Sequence, residues 1–131
     1  LGLTAVGFPN LFMISGPQSP SVLTNMPVSI EQHVEWIADC IAYMDAHHVA
    51  SIEPTLQAEQ GWLAHHEEVS NATLIPQTDS WWVGANVPGK QRLLYPYPGG
   101  LDVYRKICDQ VAAAGYDGFS RTPAPPLTCR R

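Results

Sequence analysis

Long apolar runs are absent from this chain of 131 residues. The longest, at residues 11–14 and 93–95, fall far short of the ~20 residues that a helix needs to cross a bilayer. Basic residues are also few, because seven Lys and Arg stand against twelve Asp and Glu and the net charge is -5. Nucleic acids and anionic membrane surfaces are bound through basic patches. We therefore expect neither of them as a partner.

Cysteine is scarce as well. The chain contains three, Cys40, Cys108 and Cys129, and no two of them have the CxxC spacing. An odd and dispersed set indicates neither a disulfide framework nor a zinc site, so we predict no bound metal. This use of cysteine is typical of a reducing compartment, and we expect a cytoplasmic protein.

Two histidine pairs, His47-His48 and His65-His66, do not have a chelating spacing. Adjacent residues of a helix point about 100° apart, so such a pair cannot hold one ion as an HxxxH spacing would. We therefore expect all four histidines to be solvated at the surface.

The chain does contain enough hydrophobic residues, 45%, for one domain with a core. Residues 11–15 form a continuous apolar run that ends at Gly16-Pro17, which predicts a strand buried on both faces. A loop rich in proline and serine follows over 16–24. Asn25 and Pro27 then mark the start of a helix.

The spacing of apolar residues predicts three helices. The first begins at Pro27 and runs for about five turns. A second helical stretch begins at Glu53-Pro54, and a third covers 101–114 and ends at Gly115. The apolar face of the first helix is expected to consist of Ile30, Val34, Ile37, Ile41 and Met44.

Two segments have no periodic pattern. Residues 79–100 combine prolines and glycines with four aromatic residues, which predicts a long aromatic loop, and a short strand at 92–95 is an open alternative within it. Proline-rich residues 120–131 predict a mobile tail.

Residues 84–90 match the spacing of a phosphate-binding P-loop, G-x-x-x-x-G-K. The next residue is Gln91 rather than the Ser or Thr that ligates magnesium, and Pro88 removes one backbone donor. We interpret the segment as an ordinary turn and keep a P-loop NTPase as a distant alternative.

The loop over 16–26 leads from the predicted strand into the N-terminus of a helix. Such a junction presents free N–H groups and a partial positive charge, which suits a phosphate, a carboxylate or a flavin carbonyl. An ordinary crossover connection fits these residues equally well.

Five motifs occur in order along the chain: GFPNLF at 7–12, GPQSPS at 16–21, TNM at 24–26, SIEQHVEWI at 29–37 and SWWVGANVPGK at 80–90. Together they closely resemble the C-terminal part of Baeyer-Villiger monooxygenases, from about Leu1 to Phe119. Within that family, the longer segment 20–24 resembles the phenylacetone and steroid type rather than the cyclohexanone type.

The resemblance implies an α/β parent enzyme whose two dinucleotide-binding domains hold FAD and NADPH. Such enzymes insert one oxygen atom from O2 beside a ketone carbonyl to give an ester or lactone. Residues 1–48 would be the last strand, loop and helix of the FAD-binding domain. Residues 49–119 would form a helical extension whose loop 79–100 covers the active site. The fragment itself is expected to be mostly α, with one or two short strands and long loops.

The resemblance also implies roles for residues of the two loops. Trp81 is expected to lie over NADP on a mobile loop, whereas Trp82 is expected in the core. The residues expected to bind a cofactor are Asn25, Met26 and Trp81, and those expected to line the substrate pocket are Ser21, Val22, Leu23 and Met26.

The departures from the family are absences. Neither a GxGxxG fingerprint, nor the F-x-G-x-x-x-H-x-x-x-W signature, nor the family's reaction-stabilising arginine occurs in these residues, so no catalytic residue is assigned. The implied partners are a ketone, O2 and the N-terminal part of the same polypeptide, and the fragment alone is expected to be inactive. A non-catalytic helical binding module derived from such an enzyme is the alternative.

Overall fold

The computed structural model describes residues 1–125. Within them lie three helices and one two-stranded sheet, in the order α1 (Met26–Ala46), β1 (Val49–Pro54), α2 (Leu56–Asn71), α3 (Leu101–Ala113) and β2 (Phe119–Pro123). Single 3-10 turns occupy Ile75–Gln77 and Trp81–Val83. The expectation of a mostly helical fragment with short strands and long loops is confirmed. None of the described helices is both long enough and apolar enough to cross a membrane.

Local signals account for the helix ends. Pro27 lies in the first turn of α1, where its fixed φ suits the helix and its missing N–H has no intrahelical partner to lose. Thr55 caps α2, since its hydroxyl accepts a hydrogen bond of 3.2 Å from Ala58 N. Gly115, with φ of +69°, follows α3 and supplies the left-handed residue that ends it. The predicted third helix is therefore confirmed.

Strands β1 and β2 pair in antiparallel register, with Ile52 opposite Arg121 and Pro54 opposite Phe119. This sheet corrects two predictions. The second helix begins at Leu56, because Glu53 and Pro54 belong to β1. The tail predicted from residue 120 is wrong up to Pro123, because the side chains of 120–123 are exposed and the segment is held by backbone pairing, which leaves no apolar pattern. The rest of that predicted tail, from residue 126, lies outside the described residues.

The strand predicted over residues 11–15 is wrong. The segment forms turns instead, and Leu11 and Ile14 are 40% and 52% exposed. A strand that is buried on both faces needs neighbouring strands for its backbone groups. Apart from bonds within its own turn, this run makes one backbone-to-backbone hydrogen bond in the described residues. Met13 N donates to the carbonyl of Leu3 at 2.8 Å.

The core lies between α1, α3 and the residues that flank them. Trp36 of α1 is buried, and its indole N–H donates to the backbone carbonyl of Cys108 in α3 at 3.0 Å. Tyr104 of α3 is fully buried, and its hydroxyl donates to the carbonyl of Leu1 at 2.7 Å. Other buried members of this core are Leu3, Cys40, Met44, Ile52, Trp62, Tyr97, Cys108 and Tyr116.

Helix α1 buries a different face from the one that its apolar spacing predicts. Of the predicted stripe only Met44 is buried, whereas Val34 and Ile41 are 44% and 47% exposed. The buried face is largely polar and aromatic, and consists of Ser29, Gln32, His33, Trp36, Cys40 and Met44. The helix thus has one face packed within this chain and, beside it, an apolar face on which Ile37 is half-buried and Ile30, Val34 and Ile41 are exposed.

Candidate functional site

The loop that precedes α1 is held in a tight turn. Thr24 donates both its backbone N–H and its hydroxyl to the carbonyl of Ser21, each at 2.9 Å. The same hydroxyl shares a short hydrogen bond with Ser29 in the first turn of α1. Val22 and Leu23 project from this turn and are exposed, whereas Ser21 is buried. The turn that carries the predicted substrate-lining residues is therefore attached to the first turn of the helix.

The N-terminus of α1 has unused hydrogen-bond donors. The side chain of Asn25 makes no capping hydrogen bond, and its carbonyl accepts from Ser29 N at 3.1 Å. Pro27 has no N–H, so Met26 and Val28 supply the backbone donors of the first turn that have no intrahelical acceptor. Together with the partial positive charge of the helix end, these donors suit a carbonyl or anionic ring edge. Met26 is partly exposed beside them.

Trp81 and Trp82 form a 3-10 turn in the second loop. Ser80 caps this turn by accepting from Trp82 N at 3.2 Å. The two indoles meet edge to face, with centroids 6.0 Å apart. Trp81 is 64% exposed and Trp82 is half-buried. The two indoles therefore differ in exposure, but Trp82 is not fully buried as expected. The contact of Trp81 with NADP stays a prediction.

Backbone hydrogen bonds join the two loops. Gln18 N donates to the carbonyl of Tyr95 at 2.7 Å, and Tyr97 N donates to the carbonyl of Ser19 at 3.0 Å. Within residues 1–125, no hydrogen bond runs directly from Trp81 to the residues of the 21–26 turn. The structure therefore connects the two predicted parts of the site through the residues between them. The signal for Gln18 is weak in the sequence, since a polar residue in a loop normally predicts only exposure.

The P-loop alternative is not supported by the geometry. Gly84 has φ of +72° and ends the 3-10 turn, and Val87 N donates to its carbonyl at 3.2 Å. A P-loop connects a strand directly to a helix. Here a 3-10 turn precedes the segment, and the next helix begins only at Leu101. The short strand considered at 92–95 does not form either.

His33 is a residue of this region that the sequence did not single out. It is fully buried on α1, and its Nδ1 accepts a hydrogen bond of 3.1 Å from Ser15 N. The proton of the neutral ring is therefore on Nε2, which has no partner in the described residues. Burial lowers the pKa of this imidazole, so it is neutral at pH 7. His33 holds the turn before Gly16 against the first half of α1.

The expectation of four solvated histidines is wrong for the second pair. His66 is buried, its Nε2 lies 3.2 Å from the carbonyl of Pro96, and burial lowers its pKa. His65 is half-buried, with Nε2 2.9 Å from the hydroxyl of Tyr97. Both pack against the end of the second loop, a tertiary contact that spacing along a helix does not report. No cluster of three or more His, Cys, Asp and Glu able to hold a metal occurs in residues 1–125.

A cavity of about 500 Å³ lies beside His65, which forms part of its lining. Its lining is mainly apolar and comes from all parts of the chain, including Leu1, Met13, Trp62, Ile107 and Phe119. Gln18 touches it, but none of the predicted cofactor-binding or substrate-lining residues does.

Known proteins resemble this chain over nearly its whole length. An acetone monooxygenase (methyl acetate-forming) of Gordonia sp. strain TY-5 and a Baeyer-Villiger monooxygenase of Pseudooceanicola batsensis are each 44% identical over 121 residues. The solved structure of cyclohexanone monooxygenase from Rhodococcus sp. Phi1 bound to NADP+ is 46% identical, with a TM-score of 0.87 over 94% of this chain. The chain is a homologue of Baeyer-Villiger monooxygenases. No protein-family model matches it.

The likeness covers one segment of these monooxygenases. The alignments include 92% of this chain but only 23% and 22% of the two curated relatives, so the chain spans less than a quarter of their length. An NADP-bound steroid monooxygenase is 44% identical with a TM-score of 0.86, over 95% of this chain and 23% of that one. The identity and TM-score are nearly the same as those of the cyclohexanone enzyme. The assignment of this chain to the steroid type therefore stays a prediction.

Acidification is expected to destabilise the fold through His33. The unperturbed pKa of histidine is 6.5 and burial lowers it in the folded chain, so the unfolded chain binds this proton more readily. The free energy of unfolding therefore decreases as the pH falls below about 6.5. Urea denaturation at several pH values should show a smaller decrease for His33→Gln, whose amide accepts from Ser15 N without titrating. His66 titrates in the unmodified chain and in the variant alike. Equal decreases of the free energy of unfolding in the two would contradict the role given to His33.

Proposed function

We propose that this chain forms one wall of the active site of an FAD- and NADPH-dependent monooxygenase that converts ketones to esters or lactones. The observation that carries the proposal is the open N-terminus of α1, where unpaired backbone donors lie beside the exposed Val22, Leu23 and Met26. The identity of 44% to two monooxygenases supports the reaction class. The segment covers less than a quarter of those proteins, so the reaction belongs to the longer polypeptide.

The donors of the first turn fit an isoalloxazine edge. The N–H groups of Met26 and Val28 point out of the helix end, and the half-unit of positive charge there stabilises negative charge on the ring by about 0.3 to 2 kcal/mol. Because these are backbone donors, they survive most changes of side chain. Bound flavin supplies the oxygen-transfer chemistry, and this chain supplies donors that hold and orient the ring. Asn25 contributes through its carbonyl, which fixes the turn.

The substrate lies beside the flavin in this proposal, against the turn over residues 21–26. Val22, Leu23 and Met26 present apolar surface for a ketone's hydrocarbon part, while the buried Ser21 fixes the shape of the turn through its carbonyl. Trp81 closes the site from the second loop, where its exposed indole is free to donate to a ribose or phosphate oxygen of NADP. The other walls come from the rest of the polypeptide.

The domain boundaries predicted from the sequence are part of this proposal. Residues 1–48 carry the turn and α1 and would belong to the FAD-binding domain, whereas 49–119 carry α2, α3 and the covering loop. Strand β2 extends the second unit to Pro123 by pairing with β1. Cys40 and Cys108 are free and buried, which suits the reducing cytoplasm that we propose as its location.

The N-terminal part of the same polypeptide is the proposed partner of the uncovered apolar surface. We assign to that surface the exposed stripe of α1 and the exposed apolar residues of the turns that precede it. Exposed apolar patches of this kind mark contact surfaces, and a helix with two non-solvated faces belongs between two layers. Its exposed members are Phe8, Leu11, Ile14, Val22, Leu23, Met26, Ile30, Val34 and Ile41.

The proposed reaction is tested with the longer polypeptide that carries this chain. Purified from its host, it should contain stoichiometric FAD and form ester or lactone from a panel of cyclic, linear and aromatic ketones with NADPH and O2. The 131-residue chain alone should be colourless and inactive, because the loops that hold both pyrophosphates are not among its residues. A longer polypeptide without flavin would instead favour the non-catalytic binding module.

The proposed contact surface predicts an effect that depends on chain length. Ile41→Glu should lower the free energy of unfolding of the longer polypeptide by about 2 kcal/mol or more, because a charge is then buried without a partner. In the 131-residue chain the same change should stay within about 0.5 kcal/mol, since Ile41 is exposed there. Ala42→Glu, exposed on another face, is the control and should be mild in both. Equal effects of Ile41→Glu in the two chains would refute the contact.

The two tryptophans are expected to differ in their effects on the longer enzyme. Trp81→Ala should raise the fraction of NADPH that is oxidised without product formation, because the exposed indole no longer covers the cofactor. Trp82→Ala should mainly lower the free energy of unfolding, since that ring is half-buried. Parallel measurement of NADPH consumption and ester formation checks the first effect, and denaturation the second. Intact coupling in Trp81→Ala would exclude its proposed role.

A further inference from the structure

The segment over residues 10–18 holds an unusual backbone. Asn10, Ser15 and Gln18 have φ of +59°, +54° and +67°, in the left-handed region that costs a residue with a side chain roughly 1 kcal/mol or more. Three such residues within nine positions persist only if the surrounding structure holds them.

Each strained residue donates its own backbone N–H to a different part of the chain. Asn10 N donates to the carbonyl of Ile52 in β1 at 2.9 Å. Ser15 N donates to the ring of His33 in α1, and Gln18 N to the carbonyl of Tyr95 in the second loop. The three strained residues therefore attach the segment to three different parts of the chain, and the last of these is the loop that carries Trp81.

A continuous backbone path follows from the third attachment. The carbonyl of Tyr95 accepts from Gln18 N at 2.7 Å, while its N–H donates to the carbonyl of Trp82, also at 2.7 Å. Tyr97 N adds a second bond to the carbonyl of Ser19. A series of backbone hydrogen bonds thus connects the 3-10 turn of Trp81 to residues 18–19. These residues lead directly into the turn over 21–26.

Gly2 also packs closely against this path. A Cβ at Gly2 would meet only backbone atoms, Pro17 O at 2.5 Å, Ser19 N at 2.7 Å and the carbonyl carbon of Gln18 at 2.8 Å. Backbone atoms cannot rotate away as the end of a side chain can. The segment 17–19 is therefore in close contact with the backbone of Gly2 and is also hydrogen-bonded to residues 95–97.

We propose that the hydrogen-bonded bridge between residues 18–19 and 95–97 mechanically couples the loop of Trp81 to the substrate-lining turn, with Gln18 as its positioning residue. Displacement of one loop then shifts the other, because the bridge is made of backbone groups that are hydrogen-bonded to each other and packed closely against Gly2. The use of this coupling in closing over substrate rests on the proposed function, whereas the coupling itself is a property of the chain.

Hydrogen exchange in the 131-residue chain tests the bridge with a matched pair of variants. Gly2→Ala forces a methyl group into residues 17–19, whereas Gly7→Ala has the same kind of positive φ, +81° against +71°, and nothing within 4 Å of the new Cβ. Gly2→Ala should raise exchange about tenfold or more at the amides of Gln18, Tyr95 and Tyr97. Gly7→Ala should leave these amides protected, and equal exchange in both variants would overturn the proposal.

A second pair serves if Gly2→Ala does not fold. Tyr95→Pro removes the N–H that donates to Trp82, and Tyr95→Ala keeps it. Coupling predicts faster exchange of the Gln18 amide in Tyr95→Pro alone, although its own acceptor is still present. Unchanged protection of Gln18 in that variant would overturn the proposal. Neither pair depends on cofactor or activity, so failure of the proposed reaction would leave this result standing.

Discussion

The packing of α1 on α3 is the interaction on which the rest of the structure depends. Trp36 crosses between the helices and donates to the carbonyl of Cys108, a buried hydrogen bond that stabilises the fold by about 1 kcal/mol in addition to burial of the ring. Tyr104, on the same side of α3, reaches the backbone of Leu1. With α1 fixed in this way, the position of its open N-terminus is determined, and that terminus is the centre of the proposed site.

The inner face of α1 explains how the site-forming segments stay in place without regular structure. Its buried residues include Ser29 and His33, which are polar and bind groups of the preceding turns. Ser29 binds the hydroxyl of Thr24, and His33 binds the N–H of Ser15. The helix therefore positions the segment from Ser15 to Met26 through side-chain hydrogen bonds, whereas a strand would use backbone hydrogen bonds.

The apolar residues left outside this arrangement have a common explanation. The sequence predicts burial for both the stripe of α1 and the run at 11–15, yet Ile30, Val34 and Ile41 of the stripe and Leu11 and Ile14 of the run are exposed in residues 1–125. A run of apolar residues records that a surface is buried in the functional protein, but not which segment buries it. In the proposed function the longer polypeptide covers this surface, and the relatives are more than four times as long as the aligned segment.

The sequence by itself determined that there are three helices, where the first begins and the third ends, and which family the chain resembles. Period, proline and glycine are local signals, and they placed the start of α1, the end of α3 and the irregular second loop correctly. Only the tertiary structure decided which face of α1 is buried, that residues 119–123 pair with β1, that His66 is buried and that Gln18 meets Tyr95. Each of these is a contact between positions far apart in the chain, made by backbone groups or polar side chains. Such contacts leave no periodic pattern, because their partners are brought together only when the whole chain folds.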